Sequence, residues 1–236
     1  MKKRTYAQFC SIARALDLVG ERWTLLVIRD LLVGPQRYTD LLNNLPGIGP
    51  NVLSARLKSL EELGAVERKA LPPPAASTVY ELTELGRGLE AVVLDLARWG
   101  HNFMDTPRPD EHQRLSWYMT GVRALFHPED ARGVHDTYEF DVDDARFNVR
   151  VDDGTIDVRQ GAAETHDVLI RTDLDTLLAV GLGQLSAGDA VTSGRLSSSG
   201  DKRAIRRCLK LLTRGFPAQG QASASELEAV GAGDTG

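Results

Sequence analysis

Small and polar side chains recur at helical spacing in the segment from Pro50 to Leu63. At about 100° of rotation per residue, Leu53, Leu57 and Leu60 share one face. The opposite face and its two shoulders carry Asn51, Ala55 and Lys58, flanked by Ser54 and Arg56. An asparagine amide can bond adenine at two points, a serine hydroxyl can bond base edges, and a lysine can bond guanine or a phosphate. This face therefore has the chemistry to contact base pairs in a DNA groove.

Three further cations stand where neighbouring elements would reach a phosphate backbone. Arg37 precedes a short predicted helix, and Arg68 and Lys69 lie in a predicted strand. Phosphate contacts of this kind hold a reading helix in the major groove. The competing interpretation is an ordinary amphipathic helix with a solvated outer face.

Cysteine, histidine and glycine patterns give little support to catalysis or metal binding. Two cysteines exclude a disulfide framework and a multi-cysteine zinc site, and the five histidines lack metal-ligand spacing. No glycine-rich phosphate loop or nucleophile elbow occurs. We therefore expect no metal, no cofactor and no catalytic residue. An enzyme would need convergent titratable groups in the second half of the chain, where Asp136, Glu139 and His166 are the candidates.

The elements that position these residues follow from hydrophobic periodicity. The first half predicts a helix ending at Gly20, an apolar helix over 21–32, a short helix over 38–45 and the proline-opened helix from Pro50. Two short strands, 66–70 and 78–82, flank a Pro-Pro-Pro-Ala-Ala-Ser loop. A last helix after Thr83 carries an apolar stripe from Leu85 to Trp99. Three helices followed by a hairpin are the order of a winged helix-turn-helix.

Charge is divided unevenly between the two halves. The chain has 236 residues and a net charge of −5. Residues 1–70 hold 11 basic and 7 acidic side chains, a balance of +4, whereas residues 107–236 hold 15 and 21, a balance of −6. A basic front and an acidic back suggest different partners. No run approaches the ~20 apolar residues of a membrane span and no secretory signal is evident, so we expect a cytoplasmic protein without membrane contact.

The first hundred residues resemble HxlR-type transcriptional regulators. The similarity lies in the run from Cys10 to Leu26 (CSIARALDLVGERWTLL), in that from Pro46 to Gly64 (PGIGPNVLSARLKSLEELG), and in Tyr80-Glu81-Leu82-Thr83. The resemblance implies a homodimeric winged-helix DNA-binding protein that pairs through its terminal helices, for which the Leu85–Trp99 stripe is the candidate. The hairpin tip lacks the basic residue that a wing often places in the minor groove.

Cys10 occupies a position at which some regulators of that family carry a redox-reactive cysteine. Lys2, Lys3 and Arg4 are near in sequence and would favour the thiolate. A redox-sensing regulator is therefore an alternative function, and an inert thiol is the competing interpretation. Cys208 receives no role.

The second half changes to period two, which marks strands with one buried face. Apolar residues alternate over 138–142, 145–151 and 156–158, with turn sequences between them. A further strand is expected at 167–171, a leucine-rich helix at 174–182, a strand near 191–197 and a basic helix over 201–212. The predicted class is therefore α+β, with a winged helix-turn-helix followed by an antiparallel sheet covered by helices.

This half resembles the sterol-carrier-protein family. The similarity lies in Phe147-Asn148-Val149-Arg150-Val151-Asp152-Asp153-Gly154, in Thr172-Asp173-Leu174-Asp175-Thr176-Leu177-Leu178, and in Ser193-Gly194-Arg195-Leu196 followed by Gly200-Asp201. The resemblance implies an apolar tunnel for a lipid-like or aromatic small molecule, with Trp117, Phe126, Phe140 and Phe147 as pocket candidates. The competing interpretation is that these aromatics fill a core.

These observations predict a ligand-controlled regulator that binds a pseudo-palindromic operator as a homodimer. The expected organisation is a DNA-binding and dimerisation domain over 1–103, a linker over 104–114, a sterol-carrier-like domain over 115–215 and a disordered tail over 216–236. The alternatives are redox sensing through Cys10 and an enzyme that uses the second-domain cavity.

Overall fold

The computed structural model describes residues 5–72, 77–104, 107–108 and 110–213. Within these residues the first unit contains, in order, α1 (Ser11–Val19), α2 (Thr24–Leu32), β1 (Gln36–Arg37), α3 (Tyr38–Asn44), α4 (Pro50–Leu63), β2 (Val66–Ala70), β3 (Thr78–Leu82), α5 (Glu84–Arg87) and α6 (Glu90–His101). The strands form one antiparallel sheet in the order β1-β3-β2. This is the predicted helix order followed by a two-stranded wing.

Helix α4 has the predicted limits because its sequence carries both a start and a stop. Pro50 is its first residue, where a missing N–H leaves no bond unmade, and Gly64 ends it with a left-handed φ of 77°. Leu53, Leu57 and Leu60 are fully buried in the core of the unit. Burial of this face fixes the opposite face toward solvent.

Three local features differ from the sequence-based expectation. Helix α2 begins at Thr24 rather than at 21, because Trp23 takes a left-handed φ of 80°. The two-residue strand β1, which pairs with β3, was not predicted. The single last helix is divided into α5 and α6 around Gly88.

The second unit surrounds a five-stranded sheet. Its elements are α7 (Leu115–Leu125), a 3₁₀ turn (Pro128–Ala131), β4 (His135–Val142), β5 (Ala145–Asp152), β6 (Thr155–Gln160), β7 (Val168–Thr172), α8 (Leu174–Gly181), α9 (Ala187–Thr192), β8 (Leu196–Gly200) and α10 (Lys202–Thr213). The strand order is β6-β5-β4-β7-β8. Every neighbouring pair is antiparallel except β4 and β7, which are parallel.

The predicted meander over the first three of these strands is confirmed. Its turns lie at Asp143-Asp144 and Asp153-Gly154, where Asp143, Asp153 and Gly154 have positive φ angles, as tight two-residue hairpins require. The strand predicted near 191–197 is wrong in its position. Residues 187–192 form α9, which Ser186 begins by accepting the Asp189 N–H, and the strand starts at Leu196.

The two units pack directly against each other. Helix α7 lies against α6 and α2, so its position relative to the first unit is fixed by contacts outside the predicted linker. Residues 105, 106 and 109 of that linker lie outside the described residues, as do the hairpin tip 73–76 and the tail 216–236.

Candidate nucleic-acid interface

The outer face of α4 is open to solvent at four of the predicted contact positions. Asn51, Ser54, Ala55 and Lys58 are all exposed. The Tyr38 hydroxyl of α3 donates to the Pro50 carbonyl over 2.8 Å and lies 3.2 Å from the Ser54 hydroxyl. Tyr38 therefore ties the start of the reading helix to the helix before it, a role that sequence reasoning missed.

Arg56 occupies a different environment from these four residues. Its side chain is largely buried and its guanidinium lies 3.7 Å from the Glu21 carboxylate, in the segment before α2. A base edge is a poor partner for a side chain held in this way. The structure therefore separates Arg56 from the exposed face, although its assignment to DNA stays a prediction.

Two of the three predicted phosphate cations are paired with carboxylates. The Arg68 guanidinium lies 2.6 Å from Glu61 of α4 and 5.3 Å from the centre of the Tyr80 ring. The hydrogen bond to Glu61, with Tyr80 and the Glu61 charge, raises the pKa of Arg68. Lys69 donates to Glu81 over 3.0 Å.

Arg37 is placed differently from Arg68 and Lys69. Its Nε donates to the Ser77 hydroxyl over 3.1 Å, where the hairpin returns toward β3. Its backbone N–H donates a hydrogen bond to the Asp40 carboxylate of α3. Among the three predicted phosphate cations, Arg37 is the one whose guanidinium makes no ion pair with the described residues.

Large apolar side chains are exposed on both ends of the first unit. On α6, Val92, Leu96 and Trp99 recur on one face, which Phe103 continues beyond the helix, and Trp99 keeps 62% of its surface exposed. Leu89 and Val93, in contrast, pack into the core. One part of the predicted stripe therefore packs in the core, and the other part is exposed to solvent. Phe9, Ile12 and Leu16 form a second exposed set at and before α1.

Cys10 is exposed and stands immediately before α1. The nearby backbone N–H groups of Ala13 and Ile12 lower the pKa of its thiol. The stabilising groups are thus the free N–H donors of a helix start. The basic residues that were expected to have this effect, 2–4, lie outside the described residues.

A small cavity lies between sheet and helices in the described part of the second unit. Its volume is about 20 Å³, which is room for about one water molecule. It is lined by Tyr118, Phe140, Ile170, Leu177, Val180, Gly181, Leu196, Cys208 and Leu209. Burial raises the pKa of the Cys208 thiol strongly.

The four aromatic pocket candidates are not brought together around this cavity. Phe140 lines it and stacks on Phe147, with ring centres 4.5 Å apart. Phe126 packs at the edge of the core. Trp117 faces the first unit, with its ring 4.4 Å from the Arg29 guanidinium, and does not line the cavity.

The titratable groups that an enzyme would need are engaged elsewhere. Asp136 accepts two hydrogen bonds from Arg207 and one from Tyr138. Glu139 lies on the sheet face opposite Phe140, where it accepts the Ala163 N–H. His166 lies beside Glu139, with 3.5 Å between Nδ1 and the carboxylate. None of these carboxylates or imidazoles lines the described cavity.

In the described part of the chain, no group of three or more His, Cys, Asp or Glu side chains is placed to hold a metal ion. The same residues include no helix long and apolar enough to cross a membrane.

Helices α2, α3 and α4, followed by the β2–β3 hairpin and with an exposed polar face on α4, define a helix-turn-helix DNA-binding class. Comparison with known families agrees: residues 18–108 match the HxlR-like helix-turn-helix model. The regulator YodB of Bacillus subtilis is 37% identical over 91 residues, which cover 39% of this chain and 81% of YodB. The chain belongs to the HxlR-like helix-turn-helix family of transcriptional regulators.

Other relatives extend the likeness only in part. An uncharacterized HTH-type transcriptional regulator of Mycobacterium tuberculosis, MT3179, is 44% identical over 100 residues, so the chain spans 61% of that protein's length and the match covers 42% of this chain. The structure of reduced YodB covers 43% of this chain and 100% of its own, with 34% identity and a TM-score of 0.36. Residues 124–212 match the SCP-2 sterol transfer family.

Proposed function

We propose that the protein regulates transcription as a homodimer bound to a two-fold symmetric operator. The observation that carries this proposal is the exposed face of Asn51, Ser54 and Lys58 on α4. The buried leucines behind it and the Tyr38 bond at its start hold that face rigidly toward solvent. Direct readout needs such a preformed helix with base-reading side chains on one side.

Pairing with a second copy is supported by the exposed apolar surface. Val92, Leu96 and Trp99 on α6, with Ile12 and Leu16 on α1, would leave several large apolar groups in water in a monomer. Exposed large apolar side chains of this kind favour an association surface. Two reading helices related by a two-fold axis would then enter successive major grooves about 34–36 Å apart.

The decisive experiment is selection of duplexes from a random library by the wild-type protein, followed by binding titrations with Asn51→Ala. We expect a recovered sequence with two-fold symmetry. Asn51→Ala should lose discrimination at particular base pairs by about 1–3 kcal/mol while retaining binding to unrelated DNA. Ser199→Ala, on the exposed strand β8 of the second unit, is the control. Selection without any enriched sequence, or unchanged base preference in Asn51→Ala, contradicts the proposal.

We further propose that an apolar small molecule controls DNA binding. The support is the apolar lining of the second-unit cavity together with the match of residues 124–212 to a sterol transfer family. A drug-sized ligand needs a site of roughly 300 Å³ or more, so binding requires α7, α8 or α10 to move away from the sheet. Titration of the purified protein with palmitate or cholesterol tests this, with operator affinity as the readout.

Redox control through Cys10 is the second candidate function. The observation that favours it is an exposed thiol whose pKa is lowered by the N–H groups of Ala13 and Ile12. Thiolates, not thiols, react with oxidants. Cys10 also follows the exposed Phe9 and begins the helix that carries the exposed Ile12 and Leu16, so that its oxidation would act on the proposed pairing surface.

A further inference from the structure

Helix α7 belongs structurally to both units. One face, formed by Tyr118, Met119 and Val122, is buried in the core of the second unit. Other side chains of the same short helix contact the first unit. A helix packed on both sides cannot move in one unit without changing its contacts in the other.

The C-terminal end of α7 is held by two arginines that point in opposite directions. Arg123 forms an ion pair with Glu90 at the start of α6, and its guanidinium also lies 3.5 Å from the Leu32 carbonyl at the end of α2. Arg98 of α6 donates to the Ala124 carbonyl over 2.9 Å. Arg123 therefore connects three helices through one largely buried side chain.

The N-terminal end of α7 contacts α2 through Trp117. Trp117 lies under the Arg29 guanidinium, and Arg29 is paired with the buried Asp30 over 2.9 Å. Burial raises the pKa of Asp30, and the neighbouring Arg29 opposes this. The Trp117 indole nitrogen, Asp30 Oδ2 and Arg29 Nη2 have no hydrogen-bond partner among the described protein atoms.

The cavity wall and the first unit are only one helix apart. Tyr118 lines the cavity, while Trp117, its neighbour in sequence, touches α2. Helix α2 packs on α4, and α6 carries the proposed pairing surface. A short path from the second-unit interior to α4 therefore runs through α7 and α2.

We propose that Arg123 is a positioning residue that couples the second unit to DNA binding, because it fixes α7 against α2 and α6. Displacement of α7 by an occupant of the cavity then shifts the helices that carry the reading and pairing surfaces. This inference rests on the proposed function. Coupling between two sites is reciprocal in free energy, so operator DNA must also change the free energy of opening the second unit, and this consequence needs no knowledge of the small molecule.

Hydrogen exchange of the full chain, with and without the duplex recovered by selection, tests the reciprocal effect. In the wild type, DNA should slow exchange in α4 and also change exchange in α8, which lines the cavity, by about fivefold or more. In Arg123→Gln the α4 response should persist and the α8 response should fall below about twofold, less than the usual range of coupling. Arg150→Gln, an exposed arginine on the outer face of the sheet, is the matched control and should behave as wild type.

Glu90→Gln provides a second route to the same answer, since it removes the partner of Arg123 from the more exposed side of the contact. Thermal unfolding of each variant identifies a loss of folding, in which case Glu90→Gln decides the result. Slowed α4 exchange without any α8 response in the wild type overturns the coupling and leaves the proposed function intact. An α8 response that survives in both variants also overturns it. No response of α4 in the wild type contradicts the proposed function itself.

Discussion

Arg68 of the wing and Glu61 of the reading helix form an ion pair in which Nε and Oε1 are 2.6 Å apart. The pair joins the hairpin to α4 and stacks beside Tyr80. Glu61 offsets part of the Arg68 charge, although 57% of the Arg68 side chain stays exposed. In the free protein Arg68 therefore connects the hairpin to α4, and its contact with a phosphate stays a prediction.

Replacing Glu61 by Gln should release Arg68 and remove a negative charge from the reading helix. We expect tighter binding to all duplexes, with the slope of log K against log salt steeper by about 0.9 for one added phosphate contact. Titrations from low to high salt measure this. Glu164→Gln, at an exposed carboxylate between β6 and β7 of the second unit, should leave the slope unchanged. Equal slopes in wild type and Glu61→Gln would show that removal of Glu61 adds no phosphate contact.

Arg37 should contribute more to DNA affinity than Lys69. Its guanidinium is bonded to the neutral Ser77 hydroxyl, whereas Lys69 is neutralised by Glu81. Arg37→Ala should weaken binding to all sequences and reduce the salt slope by about 0.9. Lys69→Ala should have a smaller effect, and base preference should be unchanged in both. A loss of base preference in Arg37→Ala would place this residue at a base rather than at a phosphate.

Much of this arrangement could be predicted because it is encoded locally. Pro50 and Gly64 mark the limits of α4, its leucines mark the buried face, and period-two patterning with Asp-Gly or Asp-Asp turns marks the meander. Asn51 and Lys58 are exposed as expected because they lie opposite those leucines. These signals each depend on residues within a few positions of one another.

Long-range contacts were not predictable in the same way. The ion pairs of Arg56 with Glu21 and of Arg123 with Glu90 join residues 35 and 33 positions apart, and nothing in the local pattern distinguishes these arginines from solvated ones. Trp117 was expected in a pocket because it is aromatic, yet it lies between the units. The parallel β4–β7 pair was missed because register across a crossover has no local signature.

The apolar face of α6 should be required for pairing. Trp99→Glu would place a charge in the centre of the proposed interface, where an unpaired buried charge is strongly unfavourable. Sedimentation at micromolar concentration should show a dimer for the wild type and a monomer for Trp99→Glu, with operator affinity greatly reduced. Val191→Glu, at an exposed apolar residue of α9 in the second unit, is the matched control and should remain dimeric. A monomeric wild type would contradict the homodimer.

Cys10 should react faster than an ordinary thiol, because its pKa is lowered by two backbone N–H groups. Iodoacetamide labelling should be measured as a function of pH. The labelling rate of Cys10 should rise at a lower pH than the labelling rate of a model cysteine peptide. Buried Cys208 should stay unlabelled in the folded protein. If Cys10 is also the sensor, diamide should change operator affinity in the wild type and not in Cys10→Ser. If diamide leaves the operator affinity of the wild type unchanged, redox control through Cys10 is excluded. The prediction that Cys10 is reactive is not affected by that result.

Stability of the second unit should depend on pH through Asp136. Its carboxylate accepts two hydrogen bonds from Arg207 at 2.6 and 2.8 Å and one from the Tyr138 hydroxyl at 2.8 Å, which ties α10 to β4. The Arg207 bonds, with the Tyr138 bond, hold the pKa of Asp136 below its usual range, although burial acts in the opposite direction.

A carboxyl with a lowered pKa in the folded state stabilises the fold fully above its unfolded pKa of about 3.9. That stabilisation is lost as the pH falls through the lower folded pKa. Asp136→Asn should therefore lower the free energy of unfolding by about 2 kcal/mol at neutral pH. The effect is no larger because Arg207 is partly exposed to water, which weakens its interaction with Asp136. The difference between variant and wild type should shrink as the pH approaches 3. Denaturant unfolding followed between pH 7 and 3 measures it, with Asp175→Asn on the exposed start of α8 as control. A difference that is constant over this range would show that the bonds of Asp136 stabilise the fold through packing and not through its charge.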